Sequence, residues 1–122
     1  MLGDATDAES LAAGGLRCLL GLARESNGAL TWTGTPGGDE IDPTLYSGSA
    51  GIVITLLEAY QHFGDDRYAD AAIRGARGIA AEIDSVSHCS LYFGLTGMAV
   101  ALRAVDDVLG DSAAGVAADR AL

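Results

Sequence analysis

Only two cysteines occur in the 122-residue chain, Cys18 and Cys89, and they form no Cys-x-x-Cys pair. A disulfide framework is therefore excluded as the organising principle, and a reducing cytoplasm is the default setting. Basic residues are also scarce: seven stand against 17 acidic ones, for a formal net charge of −10. Affinity for nucleic acid comes mostly from cations that neutralise phosphates, so this chain is expected to bind neither DNA nor RNA, nor an anionic membrane surface. The N-terminal stretch MLGDATDAES is acidic and lacks the basic and apolar regions of a secretory signal. The most apolar stretch, Ile52 to Leu57, meets Glu58 far too early to span a bilayer.

What is present is apolar and periodic. Hydrophobic residues make up 49% of the chain and charged residues 20%, enough to bury the core of one domain spanning 1–122. Residues 6–25 have the pattern of a helix, with Leu11, Gly15, Cys18, Leu19 and Leu22 recurring at three- and four-residue steps. Asn27-Gly28 is expected to stop it, since both residues tolerate a left-handed backbone. Residues 29–44 then form a long connection crowded with Gly, Thr and Pro. Its Asp39, Glu40 and Asp42 have no regular metal-ligand spacing and are expected to form a solvated acidic loop. Trp32 is expected to anchor this loop on the body.

The stretch LYSGSAG, Leu45 to Gly51, returns as LYFGLTG, Leu91 to Gly97. At that offset of 46 residues the register continues without a gap. Gly48 meets Gly94, Gly51 meets Gly97, Leu56 meets Leu102 and Gly64-Asp65 meets Gly110-Asp111. Each copy leads into a helix, expected over 48–63 and 94–109, that is apolar on nearly every side. A Gly-Asp break follows, and then a second helix, expected over 66–83 and from 112 onward. In the first of these outer helices Tyr68, Ala72, Ala76, Ile79 and Ile83 make one apolar stripe. Self-similarity at this period, one hairpin per unit, predicts an all-α array of helical hairpins in two concentric layers, open or closed as an α/α toroid. Residues 45–83 are the first unit and 91–122 a second, incomplete one.

The four glycines are the repeated motif. Gly costs about 1 kcal/mol in a helix relative to Ala, so a pair at i and i+3 should return something, and close approach of another backbone is the expected gain. Ser47 is expected to cap the first inner helix; Phe93, its counterpart, has no such oxygen. Tyr46 and Tyr92 are expected to pack between helices.

These residues resemble the lanthionine synthetase C-like family, whose inner helices open on Gly-x-x-Gly after an aromatic or apolar residue and whose hairpins break at sequences like GDDRY. The resemblance covers Leu45 to the end. It implies a toroid of inner and outer helices, a precursor peptide as partner and, in cyclase members, zinc held by a Cys in one late repeat and a Cys-His pair in another. Zinc would favour the thiolate of a peptide cysteine, which adds across a dehydroamino acid to close a thioether ring. Those ligands belong to later repeats. Here His88-Cys89 has the reverse order and precedes an early inner helix, with only Cys18 and His62 left to complete a site. No catalytic residue and no bound zinc are therefore expected of this chain alone. The expectation is a cyclase fragment that supplies scaffold; the alternative is a non-catalytic helical repeat that binds a peptide or partner. A toroidal glycosidase is disfavoured, because its paired carboxylates would have to come from Asp39, Glu40 and Asp42 on a single loop. The last helix has no C-terminal cap, and an incomplete ring would expose apolar helix faces and self-associate.

Overall fold

The computed structural model describes residues 5–35 and 37–122. The first four residues of the acidic N-terminal stretch and Pro36 of the long connection lie outside them, and the side chains of residues 5 and 6 are likewise not described. Five α-helices and one small hairpin follow in order: α1 (Ala5–Leu22), β1 (Arg24–Ser26), β2 (Ala29–Thr31), α2 (Ser49–Phe63), α3 (Asp66–Ala81), α4 (Leu95–Leu109) and α5 (Ser112–Ala121). No helix among the described residues is long and apolar enough to cross a membrane.

The array of helical hairpins is present. α2 packs on α3 and α4 on α5, and the two hairpins sit side by side through contacts of α2 and α3 with α4, and of α3 with α5. Val53, Leu56, Leu57, Met98, Leu102 and Val105 fill the core from the first helix of each hairpin. Tyr68, Ala72, Ala76 and Ile79 of the α3 stripe are buried beneath them, as is Ile83 just past the helix end. Burial of a large aliphatic side chain contributes about 1.5–3 kcal/mol, so these positions dominate the stability of the pair.

The repeat extends to the caps. Gly64 and Gly110 end the inner helices at φ 70° and 69°, in the left-handed region that glycine tolerates, and each N–H reaches back to a carbonyl at 2.8 Å, that of Tyr60 or Asp106. The next residue starts the outer helix in both units: Asp65 accepts from the Arg67 N–H at 2.9 Å and Asp111 from the Ala113 N–H at 3.2 Å. Arg74 and Arg120 are also equivalent at the 46-residue offset, and each donates to a carbonyl from before its own hairpin. Arg74 reaches Gly28 at 3.1 Å and Arg120 reaches Ala80 at 3.0 Å. The hairpin turn thus occupies, beside unit one, the place that the end of α3 occupies beside unit two.

Three expectations need correction. Asn27-Gly28 is a hairpin turn rather than a helix stop: Asn27 has φ 54° and Gly28 φ 81°, and Arg24, Glu25 and Ser26 pair antiparallel with Thr31, Leu30 and Ala29. Two successive positive φ values match the twist of a two-residue hairpin, which is what Asn-Gly favours most. The long connection therefore begins as a strand, and a further bridge joins Thr33 to Ile41. The apolar face of α1 is also different. Leu11, Gly15, Cys18 and Leu22 are exposed, whereas Leu16 is buried and Leu20 packs against the core. α3 ends at Ala81, and Ile83–Ser85 form a 3-10 turn.

Trp32 is the anchor of the N-terminal region. It is 2% exposed, its indole N–H donates to the Leu19 carbonyl of α1 at 2.8 Å, and its backbone N–H donates to Ser49 Oγ at 3.2 Å. One residue thereby ties α1, the hairpin and the start of α2.

Candidate functional site

The two turns that lead into the inner helices, residues 42–48 and 88–94, carry the motif that the repeat conserves within the chain. Each turn folds back on the helix it introduces. The Asp42 carbonyl accepts the Ser49 N–H at 2.7 Å, and the equivalent His88 carbonyl accepts the Leu95 N–H at 2.8 Å. The Ala50 N–H reaches the Pro43 carbonyl at 3.3 Å. Backbone oxygens therefore satisfy helix N–H groups that a side-chain cap would otherwise take. Ser47 is not the N-cap: Gly48 and Gly94 hold that position, both extended and without a side-chain cap bond.

This geometry explains the glycines. A Cβ on Gly48 would overlap the Asp42 carbonyl, and one on Gly94 the His88 carbonyl. A Cβ on Gly51 would meet the Leu45 carbonyl, and one on Gly97 the Leu91 carbonyl as well as Leu45 Cβ of the neighbouring unit. The close approach is thus made chiefly by the chain's own preceding turn, with a further contact from the neighbouring unit's turn at Gly97. It leaves no room for a side chain.

A carboxylate braces the first turn only. Asp42 Oδ1 accepts from the Thr44 N–H at 2.9 Å and from Thr44 Oγ1 at 2.6 Å, while Oδ2 accepts from Ser47 Oγ. Burial alone would raise the Asp42 pKa. The hydrogen bond from Ser47, with those from the Thr44 side chain and backbone, outweighs it and holds the carboxyl below the usual carboxylate value. In the second turn His88, Ser90 and Phe93 stand at these places, and His88 is exposed.

Outward from the turns lies an aromatic cluster. Tyr46 is 71% exposed, Tyr92 57% and Phe93 54%. The Tyr46 and Tyr92 rings meet edge-on at 6.2 Å, and the Tyr46 and Phe93 rings are 5.2 Å apart. The Tyr46 N–H donates to the Tyr92 carbonyl at 2.9 Å, fixing the two turns to each other. The expectation that Tyr46 and Tyr92 pack between helices is therefore overturned: each precedes its helix by enough to stay on the rim. On the other side of Ser47, a cavity of about 650 Å³ is lined by Gly34, Thr35, Asp39, Glu40 and Asp42 among others. Asp39 is fully exposed and pairs with Arg24 at 3.8 Å.

The candidate metal ligands do not converge. Cys18 is exposed on α1, and Cys89 is exposed in the second turn, where its carbonyl accepts from Thr96 Oγ1 at 2.6 Å. His62, at the end of α2, bonds Glu9 Oε1 of α1 at 3.2 Å. Among the described residues, no group of three or more His, Cys, Asp or Glu could hold a metal ion. A zinc centre needs at least three such side chains at one point, so these residues do not fit one.

Two adjoining helical hairpins in exact register, with glycine-tight turns at the head of each inner helix, define a helical-repeat protein of the layered α/α class. The family model for lanthionine synthetase C-like protein matches residues 39–122, from the acidic loop through α5, and the chain belongs to that family. No curated protein and no solved structure matches it.

Proposed function

We propose that this chain is wall rather than reaction centre in a lanthionine synthetase C-like cyclase, working in the cytoplasm on a precursor peptide. In that reaction a peptide cysteine thiolate adds to the β-carbon of a dehydroalanine or dehydrobutyrine. The electron pair moves to the α-carbon, which then takes up a proton, so a thioether ring closes with no change in mass. The carrying observation is the two-unit array within the matched family segment. Two further features support it. The described residues offer no zinc ligand set, so the family's metal would be held by residues other than these. The flank of α4 and α5 also leaves Val100 and Leu122 exposed along one largely apolar groove, a face suited to another hairpin.

The second reading is a non-catalytic scaffold that binds a peptide or partner, and the exposed aromatic cluster favours it. One experiment separates the two. The polypeptide carrying this sequence is isolated from its native cells and incubated with a dehydrated, cysteine-containing peptide, with and without a zinc chelator. Free thiols are then counted by alkylation and mass. The cyclase reading expects thiols to disappear at constant peptide mass, and to persist when the chelator is present. Persistence of every thiol without chelator would leave the scaffold.

A further inference from the structure

We propose that Tyr46, Tyr92 and Phe93 form a docking patch for a peptide segment that carries arginine or lysine beside apolar residues. The proposal deepens the reading above and rests on it for the choice of a peptide as occupant.

Three aromatic rings from two different turns converge into one patch, more than half exposed at each residue, with Leu91 exposed beside them. Grouped apolar surface of this kind marks an interaction site more often than isolated exposed residues do. The rings are also held in advance. Carbonyls of each turn lie against glycines with no room to move inward, and the Tyr46–Tyr92 backbone bond locks one turn to the other. Binding to a preformed patch avoids the ordering cost of a mobile loop.

Charge decides the kind of peptide. Helix N-termini ordinarily favour anions, but here the Ser49 and Ala50 N–H groups of α2 and the Leu95 N–H of α4 are taken by carbonyls of their own turns. The acidic loop that leads into the first turn carries Asp39 and Glu40, with Asp42 at the start of the turn, around one cavity, in a chain of net charge −10 that contains no lysine. Three of the seven arginines are engaged elsewhere: Arg24 with Asp39 and the Gly38 carbonyl, Arg74 with Glu25, Arg103 with Asp119. A guanidinium or ammonium supplied by a partner would therefore find aromatic faces and an acidic field together, the two features that attract a cation.

The test is fluorescence anisotropy with the protein made at the length native cells produce, and two dye-labelled peptides, GFRLRG and GFELEG. The arginine peptide is expected to bind at least about tenfold more tightly than the glutamate one, as cation–π attraction and the acidic field both predict. Replacing all three aromatics by alanine should weaken that binding by about tenfold or more, whereas Tyr46→Phe with Tyr92→Phe should retain it, since the rings remain. The substituted side chains are exposed, and an unchanged thermal melt confirms that the variants fold. Equal binding by the triple variant, or preference for the glutamate peptide, would overturn the proposal. So would a concentration-dependent dimer that the triple variant abolishes, since a second copy would then be the occupant. Binding is read without ring closure. A peptide that binds while no thiol disappears in the cyclisation assay would sink only the cyclase reading, and ring closure with a patch that binds nothing would sink only the patch.

Discussion

The two turn–helix units share one backbone and differ in what braces it. In the first, the Asp42 carboxylate gathers Thr44 and Ser47; in the second, His88, Ser90 and Phe93 stand in those places and His88 is exposed. The carbonyl-to-helix bond and the four glycines are common to both. The turn is therefore a backbone device, and the carboxylate clamp is an addition that unit two omits. Where the clamp is absent the side chain at position 93 is released for another purpose, and Phe93 joins Tyr46 on the rim.

Breaking the shared part should have the largest effect. Gly51→Ala and Gly97→Ala each push a methyl into a backbone carbonyl, which cannot swing aside as a side-chain tip can. Each is expected to cost about 3 kcal/mol or more by denaturant melt, at the upper end for overpacked sites. Gly15→Ala in α1, where a Cβ meets nothing, should instead be neutral or stabilising by up to about 1 kcal/mol. Equal losses at all three sites would show that the carbonyl contacts are not what the motif serves.

Removing the clamp should be smaller and confined to unit one. Asp42→Ala is expected to cost about 1–2 kcal/mol at neutral pH through its lost hydrogen bonds, and His88→Ala within about 0.5 kcal/mol of zero. The pH dependence has a definite sign. Because the folded carboxyl lies below its ordinary value of 3.8, its stabilisation is present above that pH and is lost as pH falls through the folded value. The gap between wild type and Asp42→Ala should therefore narrow in acid, and a gap that widens would contradict the clamp. The smallest effect concerns the outer layer. Arg74→Ala should cost about 1 kcal/mol, because its guanidinium is half-buried against Gly28 and paired with Glu25, while the exposed Arg120→Ala should cost about half that.

Much of this comparison could be read from the chain. The 46-residue register placed the inner helices to within a residue, and the Gly-Asp breaks became a left-handed cap and an Asp N-cap in both units. The misreadings have physical causes. Asn-Gly serves a helix end and a hairpin equally well, and only the pairing of Arg24–Ser26 with Ala29–Thr31 decides between them. In α1, two stripes have helical spacing, and the one that packs is chosen by the distant Trp32 reaching the Leu19 carbonyl. Ser47 has the chemistry of a cap, but a carbonyl seven residues upstream of the Ser49 N–H had already taken the bond. The aromatic cluster had a signal that was available, Tyr-x-Gly twice with Phe93 in the second copy. The bond between the two turns that makes it one patch is a tertiary fact.

The proposed function makes these two units wall in a larger catalytic ring. The intact mass and sequence of the polypeptide that native cells make from this gene test it. A longer chain with further Gly-x-x-Gly hairpins, a Cys and a Cys-His pair is expected. A mass matching 122 residues would contradict it, leaving a free-standing scaffold whose function lies in what its aromatic rim binds.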